Sequence, residues 1–88
     1  MKTGARPTAA LTPHGLTSIG TGDGVNDTFD LPSSNMSGVT VYVNAIPQPS
    51  GNWSLSSGTG SGGVDQIIFG SGNLPTSGAT VEFTGFSS

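Results

Sequence analysis

The clearest pattern in the chain is the run Val39-Thr-Val-Tyr-Val-Asn44, where three valines alternate with polar or amphipathic residues. Period two places Val39, Val41 and Val43 on one face of a strand and Thr40, Tyr42 and Asn44 on the other. Asn44-Ala45 then reads as a tight turn, with Ile46 folding back toward the core. Pro47 and Pro49 lack the amide hydrogen a central strand needs, so the return segment is expected at a sheet edge or outside the sheet.

Shorter runs repeat the pattern. Asp27–Leu31 turns Phe29 and Leu31 inward and Asp30 outward, and Trp53–Ser56 puts Trp53 and Leu55 on one face. Asp65–Phe69 turns Ile67 and Phe69 one way and Ile68 the other. Ala79–Thr84 turns Ala79, Val81 and Phe83 inward. Phe86 falls out of this phase across Gly85, which predicts a bend, a bulge or a contact outside the fold. Five or six short strands, separated by turn signals about every 8–12 residues, predict an all-β domain: a small antiparallel β-sandwich or barrel.

Residues 1–20 do not share this alternation. Pro7, Pro13 and small residues surround Leu11, Leu16 and Ile19 at no regular period, which predicts an extended N-terminal arm ahead of a single β-domain at residues 21–88. Ser57–Gly63, rich in glycine, is expected to be the most flexible part of the domain.

Composition narrows the function. With 88 residues the chain holds one domain, and with no cysteine and no His/Cys cluster neither disulfides nor zinc support it. Association with copies of itself or with a larger partner is the remaining support. From residue 20 onward five acids and no base give a formal charge of −5, while Lys2 and Arg6 precede it. Such a domain repels nucleic acid and anionic membranes. No apolar stretch is long enough to span a bilayer, and the N-terminus lacks the apolar core of a signal peptide.

Candidate chemistry is sparse. His14, the one histidine, lies between Pro13 and Gly15 in the expected arm, a poor place for a general base. Asp23, Asn26, Asp27 and Asp30 are rich in oxygen but do not follow the spacing of a calcium loop, and read as turn formers. The glycine runs at 20–24 and 58–63 lack the lysine and following helix of a phosphate cradle. No catalytic residue, cofactor or metal site is expected. Trp53 with Tyr42, Asn44, Gln48 and Asn52 would suit sugar stacking if exposed, but a core role for Trp53 is the preferred reading.

The order of motifs F-x-L-P, V-Y-V-N-x-x-P-Q, W-S-L, I-x-F and S-G-A-x-V-x-F resembles a small β-domain that recurs in tailed-bacteriophage virion proteins, both head-decoration and tail-fibre types. The matching residues are Phe29, Leu31, Val41–Asn44, Gln48, Trp53–Leu55, Ile67–Phe69 and Gly78–Phe83. Ala45 departs from the pattern, which has glycine there, and implies a different turn or strain. The resemblance carries no catalytic residues. It implies a virion structural protein, and the short chain favours a capsid decoration (cement) protein on the head exterior over a tail-fibre, baseplate or glycan-binding module. The implied partners are the major capsid protein and further copies of the chain, with a trimer in view. The residues expected to make partner contacts are Lys2, Arg6, Leu11, Leu16 and Ile19 in the arm, with Tyr42, Ile68 and Phe86 off the core face.

Overall fold

The computed structural model of the chain describes residues 11–88. Seven strands form two antiparallel sheets: β1 (Thr12–Thr21), β2 (Thr28–Asp30), β3 (Met36–Val43), β4 (Ile46–Pro47), β5 (Trp53–Ser56), β6 (Gln66–Phe69) and β7 (Thr80–Ser87). One sheet has the order β1-β7-β3-β4 and the other β2-β6-β5. Their inner faces share one core. Met36, Val41, Val81 and Phe83 come from the first sheet, and Phe29, Ile67 and Phe69 from the second, with Leu31 just beyond β2. Phe29 and Phe69 meet edge to face at 5.7 Å between ring centroids, a favoured aromatic geometry. The all-β fold expected from the alternation is observed; of the sandwich and barrel forms the sandwich is the one built, with seven strands rather than five or six.

Three details differ from the sequence reading. Residues 12–21 do not form an arm separate from the domain; they are β1, paired with β7 from Thr12↔Ser87 to Thr21↔Thr80. Two bulges interrupt this ladder, between His14 and Thr17 and between Ser18 and Gly20, and Ile19 packs against the core. Lys2 and Arg6 lie outside the described residues. Second, β7 runs unbroken to Ser87, with Val81, Phe83, Gly85 and Ser87 all buried and Phe86 on the opposite face. The irregularity expected near Phe86 sits instead in its partners, at the β1 bulges and at a shift in β3 between Ser37 and Thr40. Third, Ile46 does not return to the core; it is 63% exposed in β4, the two-residue edge strand. Leu55 likewise lies at the exposed rim, at 39%.

The hairpin joining β3 and β4 pairs Val43 with Ile46 around a two-residue loop in which both Asn44 (φ 51°) and Ala45 (φ 66°) are left-handed. This is the type I′ geometry that matches strand twist, and it normally has glycine at the second position. The turn type is therefore kept and Ala45 carries the strain. Asn44 holds the turn against β7, accepting from the Thr80 amide at 3.0 Å through its side chain and donating its own amide to the Thr80 carbonyl at 2.9 Å.

Candidate functional site

Residues off the core face define what the domain can present to a partner. On β7 these are Thr80, Glu82, Thr84 and Phe86, since the intervening positions are buried. Their neighbours on β3 are Tyr42 beside Glu82, Thr40 beside Thr84 and Ser37 beside Phe86. On β1, Ser18 lies beside Glu82 and Pro13 beside Phe86, and on β4 Pro47 lies beside Tyr42. The outer face of the larger sheet is thus a field of Thr, Ser and Pro in which Glu82 is the one charge of β7 and its paired neighbours. Tyr42 and Phe86 stand on it about 13 Å apart, four residues along β7.

Part of the exposure of Phe86 has a local cause. Gly38 is left-handed at φ 58°, and a Cβ there would sit 3.3 Å from the Phe86 ring, so the aromatic covers a position with no side chain of its own. The ring still leaves 43% of its surface open. Leu11 and Leu16 are exposed at 54% and 53%, Leu11 immediately ahead of β1 and Leu16 inside its first bulge.

Ile68 lies elsewhere. It is on the outer face of the smaller sheet, between Thr28 and Ser54, so the structure does not join it to Tyr42 and Phe86 in one surface. That face is polar and internally bonded. Gln66 donates to Asp30 at 2.7 Å, and Thr59 donates within reach of both Gln66 (2.9 Å) and Ser56 (2.8 Å). The same bonds tie down the glycine-rich loop expected to be flexible, helped by Ser61 to Asp30 and by Gly58 to Asp65.

Asp65 is the residue the sequence reading passed over. It is 1% exposed, and its two carboxylate oxygens accept from the Met36 amide and the Gly58 amide, both at 2.9 Å. Its own amide donates to the Ser33 carbonyl at 3.0 Å, and its carbonyl accepts from Leu31 at 2.9 Å. One side chain thereby joins the start of β3, the glycine-rich loop and the start of β6. A signal existed in the sequence: an acid at the head of an apolar alternating run, separated by one residue, Val64, from the end of a glycine-rich loop.

The remaining candidates have structural employment. His14 Nε2 lies 2.8 Å from Ser87 Oγ, and its ring packs on Phe83 at 5.8 Å, tying the first strand to the last. Ser87 is 6% exposed, and among the described residues no carboxylate bonds the other ring nitrogen, so the pair lacks the accessible nucleophile and orienting acid of a triad. Asp23 accepts from the Val25 and Asn26 amides at 2.8 and 2.6 Å, the turn-forming use expected of it. These bonds, the Asn26 one foremost, hold its carboxyl below the ordinary value of 3.8. Among the described residues no three acids or histidines gather as metal ligands.

Trp53 packs against the core and aims its indole N–H at the Gln48 carbonyl, 3.4 Å away, whereas Tyr42 belongs to the outer face of the other sheet. The sugar-stacking patch is therefore not assembled. An open groove of about 260 Å³ does lie between the β3–β4 hairpin and the 73–76 loop, with Val43, Ile46, Leu74 and Pro75 on its apolar side and Asn44 and Asn73 on its polar side. No family model matches the chain, and neither a curated protein nor a solved structure matches it.

Proposed function

We propose that the chain is a non-enzymatic structural protein of a tailed-bacteriophage virion, a decoration protein that binds the outside of the capsid and stabilises contacts between capsid subunits. The observation that carries this reading is the outer face of the larger sheet. It presents Tyr42 and Phe86 from a hydrogen-bonded platform with a single acid, a surface suited to burial against another protein. The resemblance of the strand motifs to phage virion domains supplies the class of partner, the major capsid protein. Leu11 and Pro13 extend the contact at the Phe86 end. A protein–protein contact of standard size takes about 800 Å² from each partner. Repetition over many capsid sites then opposes subunit separation by mass action.

The test is binding to purified capsids, with the temperature of capsid disruption as a second readout. The Tyr42→Ser/Phe86→Ser double variant should bind at least about tenfold more weakly, as expected when central aromatic anchors are removed. Deletion should stop at residue 10, because removing residues through 19 would take away most of β1. Undiminished capsid binding by the double variant would refute the assignment of this face. Binding to isolated tails in place of heads would replace the decoration role with a tail-fibre or baseplate role.

A further inference from the structure

Only one aspartate or asparagine in the chain is followed by glycine: Asp23, before Gly24. That dipeptide is the most reactive setting for an aspartate to condense with its own backbone, because glycine has no Cβ to hinder its nitrogen. The Gly24 nitrogen attacks Cγ of Asp23, a C–N bond forms, the Cγ–OH bond breaks, and the hydroxyl leaves with the amide proton as water. Water then opens the cyclic imide. Opening at Cγ restores aspartate. Opening at the main-chain carbonyl leaves the chain running through Cβ and Cγ, which is isoaspartate: the same composition with one more carbon in the backbone.

In the folded chain both reacting groups are tied elsewhere. The Gly24 amide donates to the Pro75 carbonyl at 2.9 Å. Asp23 Oδ1 accepts from the Asn26 and Val25 amides at 2.6 and 2.8 Å. Those bonds, the Asn26 one foremost, favour the ionised carboxylate, whereas condensation needs the un-ionised acid. Two more backbone bonds brace the same place: Gly22 donates to the Ala79 carbonyl at 2.7 Å and accepts from the Gly78 amide at 2.9 Å. The segments lie so close that a Cβ on Gly22 would meet the Thr76 carbonyl oxygen at 2.5 Å. Residues 22–24 and 75–79 thus form a clasp between the end of β1 and the start of β7. Asp23 and Gly24 are exposed at its rim, so a local opening of the clasp is enough to free both groups.

We infer that Asp23-Gly24 is the isoaspartate-forming site of this protein, silent while the 22–24/75–79 clasp is closed and reactive each time it opens. The product cannot rebuild the clasp, since the added backbone carbon sets Gly24 out of register with Pro75 when Gly22 is bound to Ala79 and Gly78. Each opening is thereby given a chance to become permanent. The chemistry is independent of the capsid reading, and capsid binding is not a readout of it.

Prolonged incubation of the full chain at one pH, in buffer and in concentrated urea, tests the site. Isoaspartate is counted by methyl transfer from labelled S-adenosylmethionine with protein isoaspartyl methyltransferase. It is placed by endoproteinase Asp-N, which cuts ahead of aspartate and not ahead of isoaspartate. The product should appear at residue 23 and form at least about tenfold faster in urea than in buffer. Gly22→Ala, which forces the two segments apart, should speed the reaction in buffer and leave the urea rate unchanged. Asp23→Ala should remove nearly all methyl acceptance. Protein isomerised in urea and returned to buffer should melt below protein only briefly unfolded. Equal rates in buffer and urea, methyl acceptance that survives Asp23→Ala, a folded Gly22→Ala protein no faster than the parent in buffer, or an isomerised chain that melts like the briefly unfolded one would each overturn the inference.

Discussion

Replacing Asp65 by asparagine exchanges one carboxylate oxygen for an NH2 group and tests whether the buried carboxylate holds three segments together. Both oxygens are used: one accepts from Met36 and the other from Gly58, each at 2.9 Å, in a site 1% exposed. Asparagine keeps one acceptor and sets an NH2 group against the remaining amide. One charge-assisted hydrogen bond is lost, and a buried donor is left facing a donor, at about 2 kcal/mol. For a domain of this size that lowers Tm by roughly 8–16 °C. Asp65→Ala strands both amides and should cost about 3–5 kcal/mol. Urea unfolding at neutral pH gives the free energies, and amide exchange gives the location: protection should fall at Met36 and Gly58 before it falls in β7. Asp30→Asn is the comparison: its bonds to Gln66 and to the Ser61 amide are open to water, so the substitution should cost no more than about 1 kcal/mol, half the cost at Asp65. An Asp65→Asn protein as stable as Asp30→Asn, with Met36 and Gly58 protected as before, would refute the account of Asp65 as a junction.

The left-handed Ala45 at φ 66° predicts a gain: Ala45→Gly removes a cost of about 1–2 kcal/mol against an entropic loss of about 0.5–1 kcal/mol, so the urea midpoint should rise by the equivalent of about 1 kcal/mol. Gly22→Ala should destabilise by about 1–3 kcal/mol, because a Cβ there would meet the Thr76 carbonyl oxygen at 2.5 Å and Pro75 at 2.7 Å; a thermal melt equal to the parent's would contradict it. Asp23 has its carboxyl lowered below 3.8 by the Asn26 and Val25 amides, so the stability it adds is present above that value and disappears as pH falls through the folded-state value. The urea midpoints of the parent and Asp23→Ala should therefore differ at neutral pH and converge in acid; a gap that persists or widens there would show that the carboxylate is not the cause.

How much of this was legible in the sequence depends on whether the alternation was left intact. β2, β6 and β7 were readable because each keeps period two through its core residues, and Phe29, Ile67, Phe69, Val81 and Phe83 are all buried as the pattern requires. β1 was not readable, for a specific reason. Its two bulges place extra residues within the ladder, so Leu16 and Ile19 fall three positions apart and match neither face of a regular strand. Asp65 was hidden differently: its partners Met36 and Gly58 are 29 and 7 residues away, and a carboxylate bonded to backbone amides leaves no complementary side chain for a sequence reader to find.

The same distinction governs the candidate surface. Phe86 reads as out of phase when its strand is ended at Thr84, ahead of Gly85, and it attracts a functional reading on that ground. In the structure it keeps phase with Thr80, Glu82 and Thr84, and its ring spans the surface left by Gly38 across the pair. Exposure alone therefore cannot separate a contact residue from a residue that shields a glycine. The two roles predict different mutant behaviour. If shielding Gly38 were its whole role, Phe86→Ser would lower stability and leave association unchanged in the folded protein. A contact residue would lose association at temperatures where the fold is intact. Measuring both quantities on Phe86→Ser, with Tyr42→Ser as the neighbour that has no glycine opposite it, assigns the outer face by its energetics.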